Sequence, residues 1–216
     1  MKKGYFISFE GVDGSGKSTQ IMCLKEYLEK KGFEVLLTRE PGGTEIGEKI
    51  RRIILDPENM EMSAMTEAML YAASRAQHVE EVIKPAIESG KVVICDRFVD
   101  SSIAYQGFGR GLGECVEIIN RYAAGECMPD VTFLLKVKPV ISGDRIRNRK
   151  LDRIEQETSE FHQAVYNGYE KLENDFPDRI IAVDAARSIE EICSDIINHV
   201  SKLIGQKKGE MTDYAF

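Results

Sequence analysis

An apolar run, Tyr5–Phe6–Ile7–Ser8–Phe9, leads directly into Gly11-x-x-x-x-Gly16-Lys17-Ser18. An amphipathic stretch follows, with Ile21, Leu24 and Leu28 at helical spacing. A strand that turns through a glycine-rich loop into a helix constrains this chain more than any other feature. The glycines let backbone N–H groups curl around an anion where a side chain would collide. The pattern is that of a P-loop: Lys17 neutralises the β- and γ-phosphates, and the Ser18 hydroxyl is placed to ligate Mg²⁺. The helix expected from Ser18 adds its positive dipole end. Gly11, Val12, Asp13, Gly14, Ser15, Gly16, Lys17, Ser18 and Thr19 are therefore the expected cradle for a nucleoside triphosphate.

Short β-rich runs alternate with helical patterns along the rest of the chain. Strands are expected at Tyr5–Glu10, Glu34–Thr38, Val92–Asp96, Val131–Val137 and Ile180–Asp184, and helices over Thr19–Lys31 and Thr66–Glu88. Nearly continuous apolar strands alternating with helices predict a parallel sheet covered on both faces. At 216 residues, with no repeat or linker, the chain is read as one domain over 1–204, with a polar, loose tail over 205–216. In such folds ligands gather at the carboxyl ends of the strands.

A net charge of −7 argues against non-specific binding to nucleic acid or to an anionic membrane, so an anion site must be a local basic pocket. The five cysteines, Cys23, Cys95, Cys115, Cys127 and Cys193, are odd in number and form no C-x-x-C pair. They read as core thiols in a reducing compartment. His78, His162 and His199 offer no zinc-type spacing. No signal peptide or membrane-length apolar run is present, so a cytoplasmic protein is expected.

The strand "KVVICDR" ends in Asp96, where P-loop folds keep an acid near the metal. Mg²⁺ is accordingly expected on Ser18 and Asp96, directly or through water. A regulatory GTPase would need N-K-x-D, which is absent, and the single D-x-x-G, Asp13 to Gly16, lies inside the P-loop. Arginines are instead plentiful near strand ends: Arg39, Arg51, Arg75, Arg97, and the group Arg145, Arg147, Arg149 and Arg153. Guanidinium forks suit the holding of two phosphate-bearing substrates, which points to a kinase whose acceptor is itself a phosphate. Arg145, Arg149 and Arg153 fall at i, i+4 and i+8, one helical face. A solvated basic face is the plainer alternative to the reading adopted, a water-excluding lid over about 142–158.

The stretches "FEGVDGSGKST", "TREPGGTEIGEKIR", "TEAMLYAASRAQH", "CDRFVDSSIAYQGFGRG", "PDVTFLL" and "LDRIEQE" together make the chain resemble the bacterial thymidylate kinases. That resemblance implies a three-layer α/β fold of the P-loop nucleoside monophosphate kinase type, with a five-stranded parallel sheet and a short arginine-rich lid. It implies transfer of the ATP γ-phosphoryl to dTMP, with Lys17, Asp96, Arg97 and Arg153 as the catalytic set and Arg149 on ATP. It places Asp13 at the sugar 3′-hydroxyl, Arg97 and Arg51 at the acceptor phosphate, and Tyr71 stacked on thymine. Arg75 would bond a base carbonyl, Ser102 and Gln106 would lie along the base, and Tyr105 would disfavour a 2′-hydroxyl. The family also tends to form homodimers. The chain departs from the family pattern in three places. Gly14 stands where some relatives carry arginine, so the lid is expected to supply the missing charge. Lys136 stands where a carboxylate is commoner, and Tyr71 replaces the commoner phenylalanine. Another nucleoside or nucleoside monophosphate kinase is the alternative, and a non-catalytic nucleotide-binding module a more distant one.

Overall fold

Every residue of β1 (Tyr5–Glu10) is buried, as a strand covered on both faces must be. The computed structural model, which describes residues 4–137 and 151–210, sets this strand at the centre of a five-stranded sheet. The strand order is β2 (Val35–Arg39), β3 (Val92–Asp96), β1, β4 (Val131–Lys136), β5 (Ile180–Asp184), all parallel. The expected limits hold at β1, β3 and β5 and differ by a residue at β2 and β4.

Between the strands lie α1 (Lys17–Lys30), α2 (Glu45–Leu55), α3 (Ala64–His78), α4 (Lys84–Glu88), α5 (Val99–Ser102), α6 (Cys115–Ala124), α7 (Ser159–Asp175) and α8 (Ile189–Glu210). Alternation along the strands divides the core into two layers. Phe6, Val93, Cys95 and Leu134 pack with Val79, Ile83, Phe98 and the α7 residues Phe161, Val165 and Leu172. Ile7, Phe9, Ile94, Phe133 and Leu135 pack on the other face with Leu24 and Leu28 of α1 and Ile192, Ile196 and Val200 of α8. Burying each such side chain contributes roughly 1.5–3 kcal/mol.

Three expectations need correction. The helix expected over Thr66–Glu88 starts at Ala64 because the Ser63 hydroxyl accepts from Thr66 N at the cap, and a π-helical turn, Val79–Ile83, divides it. The tail expected from residue 205 is helical through Glu210 as the end of α8, with Ile204 still in the core. The cysteines are not all free: Cys23 on α1 and Cys193 on α8 form a disulfide. Their separation of 170 residues hides the pairing from any spacing rule. Among the described residues no helix is long and apolar enough to cross a membrane.

The chain runs from β1 out to the edge at β2, returns to β3, then passes over β1 to β4. The switch in direction falls at the carboxyl ends of β1 and its neighbours, where such sheets bind ligands. Register brings the chemistry to one level there: Phe9 pairs with Asp96, and Asp96 with Arg39.

Candidate active site

A cavity of about 520 Å³ opens at this edge. Its first wall is the P-loop, through Asp13, Gly14, Gly16, Lys17, Ser18 and Thr19. Gly16, with φ 96°, caps α1 in a left-handed conformation that a side chain would strain. A Cβ on Gly11 would meet the Leu135 carbonyl oxygen at 2.6 Å, so the loop can hug the sheet only with glycine there. Gly11, Val12 and Ser15 consequently lie behind the lining and shape it from beneath. Lys17 Nζ donates to the carbonyls of Gly11 (2.9 Å) and Val12 (3.2 Å), which aims the ammonium along the loop. Burial, and next the Arg97 charge, bring the Lys17 ammonium down to about 8.

The second wall is the end of β3. Asp96 lines the cavity, and its Oδ1 is buried with no hydrogen-bond partner among the described residues. A bare carboxylate oxygen in the same cavity as a P-loop serine fits a hydrated divalent cation, which commonly takes one or two carboxylates plus phosphate. Asp96 and Ser18 are thus a chemically suitable pair for Mg²⁺. Among the described residues no group of three or more His, Cys, Asp or Glu side chains is placed to hold a metal ion.

Arg97 follows in the left-handed region at φ 71°, the one non-glycine residue with positive φ among those described. Its N–H bonds the Phe9 carbonyl at 2.9 Å, which locks this turn to β1. The guanidinium reaches Asp13 at 2.9 Å, Ser101 Oγ at 3.1 Å, Tyr169 OH at 3.2 Å and Tyr105 OH at 3.3 Å. Beneath it, the buried Glu10 carboxylate accepts from Phe98 N, Ser101 Oγ and Tyr169 OH. Burial, and then the Asp100 carboxylate, push the Glu10 carboxyl up to about 7. Glu10 therefore pins the two hydroxyls that in turn aim Arg97.

The far end is built by side chains. Glu67, Tyr71, Arg75 and His78 recur at four, four and three positions along α3, one helical face. Tyr71 lines the cavity with Arg51, Leu55, Gln106, Asp152 and Ile154. Arg51 donates to the Pro41 carbonyl at 2.8 Å. Tyr105 also lines the cavity and donates to Asp13 Oδ2 at 3.3 Å, so the phenol and the acid share one spot between the two ends.

Several expected residues lie elsewhere. Arg75 is buried behind the lining, where it donates to Glu40 Oε2 (2.7 Å), Ser102 Oγ (3.0 Å), the Phe98 carbonyl (3.0 Å) and Asn120. It supports Glu40, a lining residue missed in the sequence, and Ser102 faces Arg75 behind the lining. Arg153, expected at the reacting phosphate, is buried and bonded to the Ile54 carbonyl (2.8 Å) and Glu67 (2.7 Å). Arg153 sits in a turn rather than on a helix, because Asp152 Oδ1 accepts from Ile154 N and Glu155 N. Arg145, Arg147 and Arg149, and the lid reading as far as residue 150, lie outside the described residues. Lys136 pairs with Glu173 and Glu170 on α7. Asp152 and Glu40 were missed because a lone acid in a loop carries no local signal. The buried face of α3 did carry one: polar residues at helical spacing, where an ordinary helix would be apolar.

The family model for thymidylate kinase matches residues 9–196. The chain belongs to the thymidylate kinase family. It is 52% identical over 208 residues to the thymidylate kinase of Lactobacillus helveticus (strain DPC 4571), covering 93% of this chain and 97% of that one. It is 50% identical over 203 residues to that of Thermoanaerobacter sp. (strain X514), covering 94% and 100%. The crystal structure of thymidylate kinase from Ehrlichia chaffeensis superposes with a TM-score of 0.75 at 31% identity, over 92% of this chain and 99% of that one. The family makes the chain a phosphotransferase on the P-loop nucleoside monophosphate kinase fold, and the cavity is placed where that fold requires.

Proposed function

We propose that the chain phosphorylates dTMP to dTDP with ATP by in-line transfer, in the single cavity that joins the P-loop to the Tyr71–Gln106 end. One observation carries the reading: Arg97 lines the same cavity as Lys17 and Tyr71, near enough for its charge to act on both, with its guanidinium anchored at Asp13 and Ser101. ATP phosphates lie along Gly14–Thr19. The dTMP phosphate meets Arg97, with Arg51 beside it, its sugar lies at Asp13 and Tyr105, and its ring stacks on Tyr71. The acceptor oxygen is already anionic, so no strong general base is required. Mg²⁺ on Ser18 and Asp96, directly or through water, neutralises the triphosphate when bound.

Lys17 and Arg97 hold the charge that spreads over the transferring oxygens. Arg153 drops out of the catalytic set because its donors are committed to Glu67 and Ile54. Arg149 keeps the ATP-binding role expected of it. Arg75 supports the base end through Glu40 and Ser102 rather than from the lining.

A homodimer is part of the proposal. Ile53 on α2, Met65 and Met69 on α3, and Ile118 and Tyr122 on α6 are large apolar side chains left exposed, and α3 packs against both other helices. Such a patch suits a second copy, and sedimentation of wild type against a Tyr122→Asp variant tests it. A coupled assay of ADP release with dTMP, dUMP, dCMP and AMP tests the reaction. Turnover is expected with dTMP well above the others; equal turnover with AMP would reject the assignment.

A further inference from the structure

Glu67 is fully buried, one turn into α3, and gathers four donors from three side chains. Its Oε1 accepts from Gln106 Nε2 at 2.9 Å and Arg110 Nε at 3.1 Å, and its Oε2 from Arg110 at 2.9 Å and Arg153 at 2.7 Å. Burial alone would raise the Glu67 carboxyl, but hydrogen bonds from Arg110, Gln106 and Arg153 outweigh it and hold the group below its ordinary range. An ionised carboxylate only accepts. The Gln106 amide must therefore turn its NH₂ to Glu67 and its carbonyl oxygen the other way. That oxygen is buried, has no hydrogen-bond partner among the described residues, and belongs to a residue lining the base end of the cavity. Leaving such an acceptor bare is costly, and a ligand N–H would relieve it.

We propose that Glu67 is a positioning residue that sets base selectivity. By fixing the amide of Gln106, it presents a carbonyl acceptor that takes the N3–H of thymine or uracil and repels the bare N3 lone pair of cytosine. The inference rests on the placement of the base at the Tyr71–Gln106 end. Replacing Glu67 by glutamine leaves one acceptor oxygen, which the two arginines claim. The new NH₂ then faces residue 106, so the Gln106 amide reverses and offers a donor to the base.

The test compares kcat/KM for dTMP and 5-methyl-dCMP, which share the methyl group, in variants whose folding is checked by thermal melting. In Glu67→Gln the preference for dTMP is expected to fall by roughly tenfold or more, mainly through KM. In the swap Glu67→Gln/Gln106→Glu, residue 106 accepts from residue 67 and again shows an oxygen to the cavity, so the preference returns. A Glu67 that merely held Arg110 and Arg153 in place would slow both substrates alike. An unchanged ratio in Glu67→Gln, or a folded swap without recovery, overturns the proposal. Gln106→Leu separates the two levels. An unchanged ratio in that variant rejects the base placement itself, whereas a change there without one in Glu67→Gln rejects Glu67 alone. Should Glu67→Gln fail to fold, the swap decides: retained preference supports the role, and lost preference with dTMP still bound refutes it.

Discussion

At the phosphate end of the cavity, Gly14, Gly16, Lys17 and Ser18 come from one uninterrupted run, and the shape is set by backbone: glycine φ values, a helix N-terminus, and two carbonyls that aim Lys17. At the base end, Tyr71, Gln106 and Asp152 come from three elements, and the shape is set by a web of buried charge centred on Glu67. A phosphate is alike in every nucleotide, so a backbone cradle serves for it. A base must be told from other bases, which takes directional side chains with fixed donors and acceptors. Arg97 belongs to neither construction alone: its guanidinium bonds Asp13 of the P-loop together with Tyr105 and Tyr169.

The sharpest way to break this division is at the junction. Arg97→Ala should lower kcat by about 10³-fold or more while ATP still binds by calorimetry, since guanidinium groups at transferring phosphoryls contribute on that scale. Near-wild-type turnover would remove Arg97 from the chemistry.

The buried web should instead show itself in stability. Glu67→Ala leaves Arg153 buried without its carboxylate and is expected to cost about 3–5 kcal/mol in urea unfolding. Arg153→Ala should likewise lower the unfolding midpoint while kcat at saturating substrates changes little. A large fall in kcat with unchanged stability would return Arg153 to the reacting phosphate.

How far each end could be read from sequence follows from the same contrast. The P-loop, the Asp96–Arg97 strand end and three strand limits were legible because each is local: a few residues carry the whole pattern. Glu67 was not, because its partners Gln106, Arg110 and Arg153 lie 39, 43 and 86 positions away. Arg75 and Arg153 were legible as arginines that matter, but not as buried ones. Whether a guanidinium faces ligand or carboxylate depends on acids such as Glu40 and Glu67, contributed by other segments. The α3 face, with Glu67, Tyr71, Arg75 and His78 in step, is the portion that a closer reading of periodicity reaches.

A smaller effect is expected at the base. Tyr71→Ala should raise KM for dTMP by about 10- to 100-fold, the scale of one lost base–aromatic stack, with ATP binding unaffected. Equal weakening of both substrates would mean that the two ends are not separate constructions.

The smallest effect near neutral pH belongs to Lys17. As pH rises through about 8 its ammonium loses the charge that meets the triphosphate. The value of kcat/KM for ATP, which reports the free protein, should therefore fall on the alkaline side of about 8. Stability moves the opposite way for this group. Between about 8 and the ordinary value of 10.5 the unfolded chain binds the extra proton, so deprotonation favours the folded state. An alkaline limb of parallel sign in activity and melting would assign the titration to another group.

The central claim is that one cavity at the switch point of the sheet seats a nucleoside monophosphate with its phosphate at Arg97 and its base at Tyr71. A crystal structure with dTMP bound measures this directly. The account predicts a phosphate oxygen within hydrogen-bonding reach of the Arg97 guanidinium, the ring stacked on Tyr71, and N3 facing Gln106 Oε1. A base seated at the P-loop instead, with Arg97 still closed on Asp13 and no phosphate beside it, would contradict it.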